Sequence, residues 1–113
     1  MPRVALVYPY FRTKSPNELL FPPLGMASLA AHLHGLGIET RIFDCTFDTL
    51  EGIRIKLGSY RPDIVGIYSM VTLSRNTFQI AEMVRTSLPD SLLVAGGPLP
   101  TLYPDQYLSL IHI

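Results

Sequence analysis

Three short stretches of the 113-residue sequence carry residue types that could hold a ligand. Gly96-Gly97-Pro98 is the strongest of them. A glycine pair directly after an apolar run lets a ligand lie against the backbone, because no Cβ holds it off. The same pair would also serve as a plain turn from a strand into a helix, and by itself it does not separate the two. Ser69-Met70-Val71-Thr72 offers two hydroxyls that could hydrogen-bond an amide or a phosphate. A serine or threonine at that point would equally cap a helix. The third stretch is Pro9-Tyr10-Phe11, opening a polar segment with Arg12, Lys14, Ser15 and Asn17 that runs on to Pro22-Pro23-Leu24-Gly25. A first loop of this length is either a ligand determinant or a surface insertion. Gly25 is harder to explain as filler, since glycine weakens a helix by about 1 kcal/mol relative to alanine. Close approach of a flat ligand would account for it.

No pair of residues has the look of a nucleophile and its base. Cys45 is the only cysteine. Its neighbour Asp44 disfavours a thiolate, so a buried structural role is expected. One cysteine also leaves no internal disulfide, no three-cysteine iron–sulfur motif and no CxxC zinc site within these residues. The histidines are His32 and His34, both on an expected helix, and His112. A lone helical histidine is more often a surface or core residue than a ligand.

The composition is 48% hydrophobic and 16% charged, which is material for one folded domain and argues against disorder. Nine basic and nine acidic residues cancel, so there is no basic field for nucleic acid and no polybasic face for a membrane. Apolar runs such as Ile64–Ile67 and Leu92–Ala95 are strand-sized and far short of a membrane span. Met1-Pro2-Arg3 leads straight into a strand pattern without signal-peptide architecture, and a cytoplasmic home is expected.

The elements that must position these stretches alternate between strand and helix. Arg3–Tyr8 reads as a strand buried on both faces, closed by Pro9. Pro22-Pro23 opens a helix, since proline suits a first helical turn. Leu24, Ser28, Ala31 and Gly35 share one side of it, Met26, Leu29, Ala30 and Leu33 pack beside them, and Gly35 and Gly37 stop it. Glu39–Cys45 is the second strand and Phe47–Tyr60 the second helix, with Leu50, Ile53 and Leu57 inward. Ile64–Met70 is the third strand. A third helix opens at Ser74-Arg75-Asn76, turns Phe78, Ala81, Met83, Val84 and Leu88 inward and ends at Pro89-Asp90. Ser91–Ala95 is the fourth strand. Strands alternating with helices in this way imply right-handed crossovers and a parallel sheet. The expected class is therefore an α/β, flavodoxin-like (Rossmann-like) doubly wound sheet of order 2-1-3-4. In such a sheet the loops at the strand C-terminal ends line the ligand crevice, here Pro9–Phe21, Asp44–Phe47, Met70–Ser74 and Gly96–Leu102.

A doubly wound domain of this kind normally has a fifth strand. Here Tyr103–Leu110 reads as a helix, and the closing Ser109-Leu110-Ile111-His112-Ile113 has no polar tail. The expectation is a fragment, residues 1–113 forming one α/β domain cut before its last strand. Its fourth strand would then be an unpaired apolar edge, prone to associate.

Taken together, three stretches carry a family resemblance: FPPLGMASLAAHLHGLGIETRIFDCT, DIVGIYSMVTLSRNTFQIAEMVR and LLVAGGPLPTLYPDQYL. They resemble the N-terminal cobalamin (B12)-binding domain that precedes the catalytic barrel in B12-binding radical SAM enzymes. The resemblance covers nearly the whole chain. It implies a cobalamin-binding domain that presents its cofactor for methyl transfer or related radical chemistry. The parent would also use a 4Fe-4S cluster and S-adenosylmethionine, held by a C-terminal radical SAM domain, and the fragment alone would have no activity. By analogy, Ser69, with its neighbours Met70, Val71 and Thr72, and Gly96, Gly97 and Pro98 would face the nucleotide tail. Pro9, Tyr10, Phe11 and Gly25 would face the lower side of the corrin, and Asp44 the second loop. One departure matters. Relatives that ligate cobalt through histidine carry Asp-x-His-x-x-Gly in the first loop, and this loop has no histidine. A histidine-free lower face follows, as in the radical SAM branch.

Other ligands of the same fold fit less well. A receiver domain needs acidic residues after the first strand and a phosphorylatable Asp after the third, where this chain has Tyr8-Pro9-Tyr10 and Ser69-Met70. An FMN binder needs a phosphate cradle after the first strand, for which Thr13-Lys14-Ser15 is a poor substitute. Neither a Walker A nor a G-x-G-x-x-G pattern follows that strand. The alternatives are a cofactor-free scaffold domain that contacts a catalytic neighbour and a flavodoxin-like FMN- or nucleotide-binding module.

Overall fold

The computed structural model describes residues 2–11, 24–69 and 74–96. Its elements run β1 (Arg3–Tyr8), α1 (Leu24–Gly35), β2 (Glu39–Asp44), α2 (Leu50–Tyr60), β3 (Ile64–Tyr68), α3 (Ser74–Ser87) and β4 (Leu92–Gly96). The four strands form one parallel sheet in the order β2-β1-β3-β4. This is the doubly wound α/β arrangement expected from the strand–helix alternation. Among the described residues no helix is long and apolar enough to cross a membrane.

Strand periodicity assigns the two faces. Ala5 and Val7 of β1, Val65 and Ile67 of β3 and Leu93 of β4 point to one side. There they meet Ile53 and Leu57 of α2 and Ile80, Ala81 and Val84 of α3, all of them buried. Each fully buried aliphatic side chain contributes roughly 1.5–3 kcal/mol relative to leaving it in water. The other side is thinner. Among the described residues its buried members are Val4, Leu6 and Met26, with Ala30, Leu33, Ile38, Ile42 and Ile64 half-buried around them. Among the described residues α1 lies over β1 and β2 on this side and nothing covers the matching half of β3 and β4, so Leu92 and Val94 are 44% and 43% exposed. β1 is buried on both faces, as its apolar run requires.

Local chemistry sets the element ends and shifts several of the expected ones. β2 stops at Asp44, one residue early, because the Asp44 carboxylate accepts from the Thr46 amide (3.0 Å) and hydroxyl (2.6 Å) and turns the chain into a short 3-10 helix, Cys45–Phe47. α2 starts at Leu50 instead of Phe47, since the Thr49 hydroxyl caps it by accepting from the Gly52 amide at 3.0 Å. Its inward residues are Ile53, Leu57 and Tyr60, whereas Leu50 is partly exposed. α1 ends in a Schellman turn. Gly37, at φ +80°, donates to the His34 carbonyl, and Ile38 donates to that of Leu33. Leu29, expected to pack, is 47% exposed on this helix. α3 turns Ala81 and Val84 inward as expected, together with Ile80 and Thr77, whose hydroxyl donates to the Tyr68 carbonyl at 3.1 Å. β3 ends at Tyr68, and β4 runs Leu92–Gly96, one residue later than expected. Ser91 stays outside β4 because its hydroxyl donates to the Pro62 carbonyl at 2.6 Å. The start of the first helix at Pro22-Pro23 and the helix expected over Tyr103–Leu110 lie outside the described residues.

Candidate functional site at the strand C-terminal ends

The last residues of the four strands fall in one row. Tyr8 pairs with Asp44 across β1 and β2, and Tyr68 pairs with Gly96 across β3 and β4. The Val7–Ile67 pairing brings Tyr8 beside Tyr68, with ring centroids 6.1 Å apart and planes tilted by 36°. Tyr10 adds a third ring, 6.5 Å from Tyr8. Read across the sheet, the row is a carboxylate, two phenols and a bare strip of backbone. By strand parity it faces the α1 side, where Tyr8 and Tyr68 pack on the Val4–Leu6–Met26 cluster.

Below this row lies a groove of about 520 Å3, between α1 and the open half of the sheet. Leu6, Met26, Leu33, Ile64 and Val94 form its walls, and Gly25, Tyr68 and Gly96 stand at its rim end. The volume falls in the range of small-molecule sites, roughly 300–1,000 Å3. Among the described residues a Cβ built on Gly25 or Gly96 would meet no atom within 4 Å, so both glycines leave space there that a side chain would take up. Gly66, in the groove floor, differs: its Cβ would come within 3.0 Å of Leu6 Cδ2. That glycine serves packing between β1 and β3.

One residue beyond the row, Pro9, Cys45 and Ser69 are all buried. The Ser69 amide donates to the Gly96 carbonyl at 2.8 Å, tying the ends of β3 and β4 together. Burial raises the Cys45 thiol to about 12, and the carboxylates of Asp44 and Asp48 add to this against Lys56. Such a thiol is not a nucleophile near neutral pH. The Tyr8 phenol is raised too, by burial first and then by Asp44 and Tyr68, so it stays a neutral donor. His32 and His34 are exposed on α1.

The site residues expected from sequence therefore divide. Gly25, Asp44, Tyr10 and Gly96 gather on the α1 side of the rim. Phe11 packs instead against the core under α2 and α3, and Pro9 and Ser69 are buried. Met70, Val71, Thr72, Gly97 and Pro98 lie outside the described residues. Tyr8 and Tyr68 were missed. The signal that could have found them is parity: they close β1 and β3 in phase with Leu6 and Gly66.

With this geometry in view, residues 17–113 match the family model of the B12 binding domain. The chain belongs to the B12-binding domain family. Two solved structures share its fold. One is the cobalamin-dependent S-adenosylmethionine radical enzyme OxsB with aqua-cobalamin bound. It superposes with a TM-score of 0.84 at 19% identity, covering 96% of this chain and 16% of that one. The other is the same enzyme with aqua-cobalamin and S-adenosylmethionine bound, with a TM-score of 0.77 at 20% identity and the same coverage. At these identities the likeness is one of fold, and this B12-binding domain spans 16% of the length of the chains it matches. No curated protein sequence matches it.

Proposed function

We propose that this domain holds a cobalamin at the C-terminal rim of its sheet, as part of a larger radical SAM enzyme. The observation that carries the reading is the apolar groove that opens between Gly25, Tyr68 and Gly96. Cobalamin is a large, amide-decorated macrocycle with a nucleotide tail. An apolar slot with two bare glycines suits the tail, and a rim of neutral phenols and one carboxylate suits the amides. A chain with zero formal charge needs nothing more for a ligand of this kind.

In this reading Gly25 and Gly96 admit the tail, Asp44 and Tyr10 orient the macrocycle edge, and α1 excludes water from one flank. Met70, Val71, Thr72, Gly97 and Pro98, the sequence neighbours of this rim, are the further contacts expected from the sequence. Once bound, the corrinoid supplies cobalt-centred methyl or electron transfer, while the protein supplies orientation and solvent exclusion. The lower face is histidine-free, in keeping with a first loop that carries no histidine. A C-terminal radical SAM domain with its 4Fe-4S cluster and S-adenosylmethionine belongs to the parent chain, as does the choice of substrate. We place the protein in the cytoplasm, where a single free, buried Cys45 is at home.

Titration of the folded chain with hydroxocobalamin, followed in the visible spectrum, tests this. A saturable shift is expected, and Gly96→Val should weaken it about tenfold or more, because the added side chain enters the groove. A folded chain that leaves the spectrum unchanged would instead support a scaffold domain that only contacts its catalytic neighbour.

A further inference from the structure

We propose that Tyr68 is the aromatic wall on which the base of the nucleotide tail stacks, making the domain selective for corrinoids whose tail ends in a flat aromatic base. This rests on the corrinoid reading and adds to it the residue that recognises the tail. Tyr68 lines the groove at the end where Gly25 and Gly96 leave it open, among walls that are otherwise aliphatic. Its ring is half-buried and held from behind by Tyr8, in a tilted contact at 6.1 Å that lies within the favourable range for aromatic pairs. Tyr8 is in turn flanked by Tyr10 at 6.5 Å. A ring fixed on one side by another ring gives up little freedom when a third stacks on its open side. Opposite it, Gly96 provides bare backbone in register with Tyr68, so the slot is bounded by a ring and by a strip without side chains. That shape fits a planar group better than a branched aliphatic one. Tyr8 acts through Tyr68 and is a positioning residue.

The test compares two corrinoids on the same chain: cobalamin, and cobinamide, which has the macrocycle without the nucleotide tail. Wild type should bind cobalamin about tenfold more tightly than cobinamide, the size expected for one stacked base. In Tyr68→Leu, which keeps apolar volume without the ring, that ratio should fall toward one while cobinamide affinity holds. Tyr68→Phe and Tyr8→Phe, which keep both rings, should retain the wild-type ratio. Equal affinities in wild type would overturn the proposal without any variant. So would a Tyr68→Leu chain that weakens both corrinoids equally, since that reports a general role in the rim. If wild type binds neither corrinoid, the corrinoid reading itself fails and takes this proposal with it. That outcome is distinct from binding both without preference.

Discussion

The two faces of the sheet are built from alternate residues of the same strands, yet they are made to different ends. On the α2/α3 side, β4 contributes Leu93, 1% exposed, to a continuous core that also takes in Ile53, Leu57, Ile67, Ile80 and Val84. On the α1 side the flanking residues of the same strand, Leu92 and Val94, stand 44% and 43% exposed beside an open groove. Among the described residues one face is closely packed and the other leaves apolar surface exposed. The division shows how a small α/β domain can combine a rigid rim with a slot for a ligand. Close packing holds the strand ends in register from one side, so the other side is free to remain unfilled.

The contrast can be broken most directly at β4. Leu93→Ala should cost roughly 2–5 kcal/mol in urea denaturation, because it empties a site enclosed by α3 and β3. A loss below about 1 kcal/mol would mean that the two faces are less different than their burial suggests.

A smaller effect is expected from the thiol on the packed side. Cys45 has its pKa raised from 9.0 to about 12 in the folded chain. The unfolded chain therefore releases its thiol proton at lower pH than the folded one. The stability this provides is full below about pH 9 and is lost as pH rises toward 12. Between pH 9 and 10 the thiol's share of the loss should be about 1 kcal/mol, and Cys45→Ala should remove that share, leaving the smaller part that comes from Tyr8 and Tyr60, whose phenols are also raised by burial. Denaturation curves at the two pH values measure both. Equal slopes in wild type and variant would place the thiol in contact with solvent.

The smallest change belongs to the open face. Val94→Thr should shift stability by no more than about 0.5 kcal/mol, since that side chain is 43% exposed and the change keeps its branched shape. The same substitution puts a hydroxyl into the groove wall and should lower cobalamin affinity. Stability and affinity that fall together would show the groove to be part of the core.

Much of this organisation was legible from the chain alone. The β-branched runs at Arg3–Tyr8 and Ile64–Tyr68 and the helices between them led to the doubly wound parallel sheet, and its order 2-1-3-4 is the one that this fold type carries. Gly25, Asp44 and Gly96 stood out as unusual residues at strand or helix ends, and all three come to the α1 side of the rim. The element ends were less legible. Asp44 and Thr49 divert the chain through side-chain hydrogen bonds whose partners, Thr46 and Gly52, become significant only once the turn exists. By its type and place Ser69 offers an accessible hydroxyl, but the pairing of its amide with Gly96 draws it into the interior.

Composition and periodicity by themselves determined the class of fold, the neutral charge, the absence of a histidine in the first loop and the end of the sheet where a ligand would sit. These are properties of single segments or of the whole composition, and need no knowledge of neighbours. Only the tertiary structure decided that Tyr8 meets Tyr68, that Gly25 and Gly96 share one groove although 71 residues separate them in number (96 less 25), and that Phe11 turns away to the opposite core. The reason is register. In a parallel sheet each strand's partner arrives by a helical crossover, and a slip of one residue would move every side chain to the other face. The grouping of residues at the rim is therefore settled by how strands pair, and pairing depends on contacts made far apart along the chain.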